Sequence, residues 1–198
     1  MKVEQSQQQS ENPSDNMEQI NPKRKKREDE LARLRGRVNK IKDKLSLGID
    51  EGIKEGVVAF NAFGLKTSQS CEGHFGQKGE EGKGSPTPWI EVAPQEPDTE
   101  NWYENDEARE KVTKERNELQ AKSIKLLDEF YKGRSSSYDI RLGFVGIGYR
   151  FRIQSTGTEI FEELTRDLPE EEKAKKAGEY RKEMSDFANF LQDQYLNS

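Results

Sequence analysis

The cysteine and the histidine of this sequence lie three residues apart. Each occurs once in the 198 residues, as Cys71 and His74, with Gly73 between them. Glycine permits a positive φ, so a sharp turn at Gly73 would bring the thiol and the imidazole together or direct both into one pocket. We therefore take Cys71 and His74 as the candidate catalytic residues.

Four interpretations of this pair stay open. A buried cysteine beside a partly exposed histidine would be purely structural. A thiolate and an imidazole would serve nucleophilic catalysis if another residue oriented the histidine. As metal ligands the two residues are too few, and carboxylates or a second chain must supply the others, so the sequence names no metal ligand set and no cofactor. The fourth interpretation is a binding pocket without chemistry, formed by Ser70, Cys71, Glu72, Gly73, His74 and Trp89.

The stretch around this pair carries a local resemblance. Residues 66–74, KTSQSCEGH, followed by PWIEV at 88–92, look like the Thr-x-x-Ser-Cys-x-Gly-His segment of uncharacterised bacterial and phage proteins. They are also distantly similar to the Ser-Cys-x-Gly-Arg signature of the tRNA wybutosine-synthesis methyltransferase-like family, with His74 in place of the arginine. The resemblance covers Ser70, Cys71 and Gly73, and it implies an RNA-modifying enzyme.

The motif is predicted to lie where a strand ends in a loop. Residues 65–70 are typical of a short strand, and Trp89 to Val92 alternate like a second one. The stretch 76–88 contains four glycines and two prolines, which indicates an exposed loop. We expect the two strands to form a long hairpin, with residues 76–85 as a lid over the pocket.

The rest of the pattern completes an α+β fold. Apolar spacing predicts a helix around Ile53, Val57 and Phe60, a long charged helix over 104–132 and a final long helix after Pro169. Alternation over 138–153 predicts a second hairpin. Two units of a helix followed by a hairpin, 49–92 and 104–154, thus predict a four-stranded antiparallel sheet packed with long helices.

A basic segment precedes this domain. Residues 23–44 contain eleven Lys or Arg against four acidic residues, a net charge of +7, whereas the chain as a whole carries −5. Such a cluster is typical of a solvated charged helix, of a nuclear-localisation signal or of contact with phosphates. The candidate nucleic-acid ligands are Lys23, Arg24, Lys25, Lys26, Arg27, Arg33, Arg35 and Arg37.

The same segment has an apolar seam. Leu31, Leu34, Val38, Ile41 and Leu45 recur at steps of three and four residues, which predicts a basic helix over 26–47. Two heptads are too few for a stand-alone coiled coil. We expect the seam to pack either on the body of the protein or on the same helix of a second copy, as a homodimer.

Composition limits the remaining possibilities. The chain is 30% hydrophobic and 36% charged, with a mean hydropathy of −1.11. We expect residues 1–25 to be a disordered polar tail and 48–198 to be one domain. No long apolar run or signal peptide is visible, so we expect a cytoplasmic protein without a membrane partner. A single cysteine excludes an intrachain disulfide.

The leading functional hypothesis is therefore a small α+β domain that recognises RNA or a nucleotide at the Cys-x-Gly-His pocket, aided by the basic helix. One alternative is an RNA-modifying enzyme of the kind that the resemblance implies. Another is a non-catalytic helical module for protein interaction.

Overall fold

The computed structural model describes residues 21–42, 46–76 and 85–198. The described residues form five α-helices and four strands: α1 Pro22–Val38, α2 Lys54–Ala62, β1 Thr67–Cys71, β2 Trp89–Val92, α3 Asp106–Tyr131, β3 Leu142–Ile147, β4 Arg150–Ser155, α4 Phe161–Thr165 and α5 Glu170–Asn197. Three 3₁₀ turns, Glu51–Ile53, Trp102–Glu104 and Thr158–Ile160, lie between them. Most of the predicted tail, Leu45 of the predicted seam and residues 77–84 of the predicted lid lie outside the described ranges.

The four strands form one antiparallel sheet in the order β1-β2-β4-β3. The β1–β2 and β3–β4 hairpins each follow a helix, so the predicted α+β class and the α-β-β-α-β-β plan are confirmed. Strand β1 lies at one edge of the sheet, and its last residue, Cys71, pairs with Trp89 of β2. The chemical motif is thus at the end of an edge strand.

One face of the sheet packs against helices. Side chains alternate along a strand, so Ile90 and Val92 of β2 point to the same face. Both are fully buried in a core cluster that also contains Phe60 of α2, Leu127 of α3 and Phe187 of α5. On the opposite face of β2 are Trp89 and Glu91. The helices therefore hold the sheet from one side and leave the motif near its edge.

Helix α1 packs on the body of the protein through its apolar seam. Leu31, Leu34 and Val38 are buried in a second cluster with Val57 and Val58 of α2. Of the two packing modes that the sequence allowed, the structure shows the one within the chain.

The basic helix is shorter at its C-terminal end than predicted. It ends at Val38 instead of continuing to residue 47, and Ile41 lies beyond it with 49% of its surface exposed. A helix is stabilised mostly by the packing of its apolar face. Val38 is the last seam residue in the core cluster, and no buried contact of Ile41 supports a further turn.

None of the helices in the described part of the chain is both long enough and apolar enough to cross a membrane.

Candidate functional site

Three side chains of different chemistry converge next to β1. A carboxylate oxygen of Asp50, the Sγ atom of Cys71 and a ring nitrogen of His74 all lie within 4.8 Å of one another. The Nε2 atom of His74 is 3.2 Å from Oδ2 of Asp50. The structure thus brings the two predicted residues together and adds a carboxylate to them.

Asp50 reaches the motif from the segment before α2, where it immediately precedes the turn Glu51–Ile53. Two hydrogen bonds hold this segment to the end of β1. The amide of Glu72 donates to Oδ2 of Asp50 at 3.3 Å, and the amide of Gly52 donates to Oε2 of Glu72 at 2.7 Å. Glu72, predicted to be a ligand-binding residue, therefore makes a structural contact that positions Asp50.

Gly73 makes the turn between Cys71 and His74 with a φ of +87°. Its amide lies 3.4 Å from Sγ of Cys71, toward which it donates, and its carbonyl oxygen accepts a hydrogen bond from Nη1 of Arg181 at 3.1 Å. The amide of His74 donates to the carbonyl oxygen of Ser85 at 2.8 Å. The turn is therefore fixed from both sides.

The thiol of Cys71 is buried, with only 8% of the residue exposed. Burial raises the pKa of this thiol above its ordinary value, and the negative charges of Asp50 and Glu72 raise it further, although amide hydrogen bonds act in the opposite direction. Burial is the largest of these effects, so the net shift of the pKa is upward.

Cys71 should consequently react slowly with iodoacetamide. At neutral pH we expect alkylation of the native protein to be at least about tenfold slower than that of the same chain unfolded in urea, because the reactive species is an accessible thiolate. Mass spectrometry of samples quenched over time measures both rates. Equal rates would show that the thiol is accessible and would restore the nucleophile interpretation.

Two clefts adjoin the cluster on different sides. Asp50, Ser70 and Trp89 help to line a cleft of about 520 Å³. His74 lines another, of about 500 Å³, with residues that include Phe161 and Glu162. The six residues of the predicted pocket therefore do not line one common cleft, and the buried Cys71 is a lining residue of neither.

The eight predicted nucleic-acid ligands divide into two groups. Arg24 and Lys25 pair with acidic residues one helical turn ahead, Arg27 donates to the carbonyl oxygen of Ser198, and Arg35 pairs with Glu55. The hydrogen bond from Arg35 lowers the pKa of Glu55. The other four, which are Lys23, Lys26, Arg33 and Arg37, form no ion pair with any described residue and are exposed.

Asp50 is the site residue that sequence reasoning missed. It immediately precedes the turn before α2, but its side chain caps no backbone amide there. It lies 21 residues before Cys71, and no spacing rule links an N-cap to the end of the following strand. Only the packing of α2 against the sheet brings the two together.

No protein-family model matches the chain, and no curated protein or solved structure matches it either. The fold and the site are therefore characterised from this chain alone. It is an α+β protein with helices on one face of a four-stranded sheet and an Asp, Cys and His cluster at the edge strand.

Proposed function

We propose that the protein binds nucleic acid through the exposed side of α1. The observation that carries the proposal is the set of four exposed cations, Lys23, Lys26, Arg33 and Arg37, that have no acidic partner among the described residues. At 3.6 residues per turn, Lys26, Arg33 and Arg37 lie along one stripe, with axial separations of about 10 Å and about 6 Å. Such a row of cations can neutralise several phosphates along one strand.

The acidic surroundings of the Cys-His motif favour α1 over the motif as the phosphate contact. Asp50 and Glu72 lie beside Cys71. The cleft between Trp89 and α4, of about 260 Å³, contains Glu159, Glu162 and Glu163. Carboxylates repel a polyanion, so the predicted recognition of RNA is better placed on α1 than at the motif.

A nucleic acid fits this stripe better than a membrane surface does. An amphipathic helix binds lipid by inserting apolar side chains beside its cations. The apolar side chains of α1, Leu31, Leu34 and Val38, are buried against the body of the protein, and the exposed positions Ala32 and Gly36 offer little apolar surface. The same burial argues against the predicted homodimer. To form it, these residues would have to leave the body of their own chain and pack against a second copy.

Binding should be weak, independent of sequence and strongly dependent on salt. With about four phosphate contacts to a single strand, log K should fall with log salt with a slope of about −3. The probe is a fluorescein-labelled 20-nucleotide poly(U) RNA, titrated with the full-length protein while fluorescence anisotropy is followed from low salt upward. A slope near zero, or no binding at low salt, would contradict the proposal.

A triple variant, Lys26→Gln, Arg33→Gln and Arg37→Gln, tests the location of the interface. We expect at least about tenfold weaker binding and a salt slope reduced by about 2, because each lost phosphate contact to a single strand lowers the slope by about 0.7. The matched control replaces Lys111, Lys114 and Lys125 of α3, which are also exposed, by glutamine and thus changes the net charge equally. If both triple variants lost the same affinity, the loss would result from the overall charge of the protein and not from an interface on α1.

Glu30 provides a reciprocal test. It lies on the same stripe, between Lys26 and Arg33, where it accepts a hydrogen bond from the hydroxyl of Tyr195 at 2.6 Å. Glu30→Gln removes a negative charge that would face the phosphates, so it should strengthen RNA binding. Weaker binding by this variant would show that the RNA contacts another surface.

A further inference from the structure

We propose that Asp50, Cys71 and His74 bind one Zn²⁺ ion. The inference is independent of nucleic-acid binding, because it concerns side chains at the end of β1 and before α2 rather than the exposed side of α1. Thiolate, imidazole and carboxylate are the three kinds of protein ligand that zinc accepts. Among the described residues, this is the one group of three or more such side chains that could hold a metal ion.

The distances are close to those of a zinc centre. From the usual lengths of bonds to zinc, neighbouring ligand atoms in a tetrahedral site lie about 3.3 to 3.7 Å apart. His74 Nε2 and Asp50 Oδ2 are already 3.2 Å apart, and no pair in the cluster exceeds 4.8 Å. A movement of about 1 Å by Cys71 and its neighbours would therefore complete the three-ligand geometry.

The charges of the three side chains also favour a Zn²⁺ ion at this position. The Cys71 sulfur lies near the carboxylates of Asp50 and Glu72. One Zn²⁺ ion bound by a thiolate, a carboxylate and a neutral imidazole forms a group of zero net charge, which a partly buried position tolerates better than isolated charges. Because the thiolate is a soft ligand, the set favours zinc over Mg²⁺ or Ca²⁺.

The surrounding backbone holds the ligands in place. Cys71 and His74 are on either side of the turn at Gly73, whose carbonyl oxygen is held by Arg181. Asp50 is held near them because its Oδ2 accepts the amide hydrogen of Glu72. Three protein ligands leave the fourth tetrahedral position to water or to a small donor molecule, as in catalytic zinc sites, and the cleft that Asp50 lines offers a route to it.

The experiment uses the full-length protein without an affinity tag, freed of metal by dialysis against a chelator. Zn²⁺ is titrated in competition with a chromophoric chelator, and Co²⁺ is used as a spectroscopic probe. We expect one equivalent of Zn²⁺ to bind, and the Co²⁺ form to show sulfur-to-metal charge transfer in the near ultraviolet. Ca²⁺ and Mg²⁺ in excess should not displace the ion.

Three single variants, Asp50→Asn, Cys71→Ser and His74→Gln, identify the ligands. Loss of a residue that merely orients a metal ligand weakens binding by roughly 10- to 100-fold, so loss of a ligand should weaken it by at least about 100-fold. The Cys71→Ser variant should also lose the charge-transfer band. Glu51→Gln is the matched control: it removes a carboxylate next to Asp50 that is outside the cluster, and it should bind Zn²⁺ like the unmodified protein.

The unmodified protein alone can overturn the proposal, so the conclusion does not depend on the folding of any variant. Failure to bind an equivalent of Zn²⁺, or a Co²⁺ spectrum without the thiolate band, would leave the three side chains as a structural hydrogen-bonded cluster. Thermal unfolding of each variant separates a lost ligand from a lost fold. Unchanged affinity in a folded Asp50→Asn or His74→Gln protein would equally contradict the assignment.

Discussion

Phe187→Ala is expected to lower the free energy of unfolding by about 3 to 5 kcal/mol, the usual cost of removing a fully buried aromatic side chain. Phe187 lies on α5 and has no exposed surface. Its ring centroid is 5.1 Å from that of Phe130 on α3 and 5.8 Å from that of Phe60 on α2. The side chain thus joins three helices under the sheet. Urea unfolding followed by circular dichroism measures the loss.

Phe190 is the matched control for this substitution. It lies on the same helix, stacks on Phe187 at 6.2 Å and is only partly buried. Phe190→Ala removes the same atoms from a place where solvent can fill part of the space, so its cost should be clearly smaller. Equal costs would show that the core is not centred on Phe187.

The fold was predictable because its elements have clear periods. Trp89 to Val92 and Tyr149 to Ile153 alternate in polarity. The first stretch forms β2, and all of the second except the turn residue Tyr149 lies in β4. Helical spacing predicted the buried face of α2, including Val57, and the existence of the final long helix, α5. Hairpins pair neighbouring segments of the chain, so the pairings of β1 with β2 and of β3 with β4 needed little long-range information. The pairing of β2 with β4, which sets the order of the strands, joins distant segments.

The composition of the cluster was less predictable. Cys71 and His74 are close in sequence, and a glycine between them suffices to suggest a turn. Asp50 joins them through the packing of α2 against the sheet, and a pattern in one sequence does not encode such a contact. The direction in which the pKa of Cys71 shifts also depends on burial, which the motif alone does not determine.

The same limit applies to the basic helix. The sequence shows eleven cations in residues 23–44, but it does not show which of them have acidic partners. Arg35 pairs with Glu55 on α2, whereas Arg33 and Arg37 are exposed and form no ion pair with a described residue. The apolar spacing continues to Leu45, so it does not predict the end of α1 at Val38. That end is set by the last buried contact of the helix with the core.

Gly73→Ala is expected to destabilise the protein by about 3 kcal/mol or more, through a strained φ and a steric overlap. The φ of +87° is one that residues with a Cβ rarely adopt. A Cβ atom would also lie 2.9 Å from the carbonyl carbon of Thr87 and 3.0 Å from the carbonyl oxygen of Pro86. Both are backbone atoms, so relief requires the turn and the start of β2 to separate.

Gly76→Ala distinguishes the two causes, because Gly76 also has a positive φ, of +73°, but a Cβ there would meet no atom of the described residues within 4 Å. It should cost only the conformational penalty, about 1 to 2 kcal/mol. Urea unfolding of both variants measures the difference, and alkylation of Cys71 reports on the site. In Gly73→Ala the separated turn should expose the thiol and speed its reaction with iodoacetamide, whereas Gly76→Ala should leave the rate unchanged. Equal stabilities and equal rates would show that the close approach of Gly73 to residues 86 and 87 does not hold the cluster together.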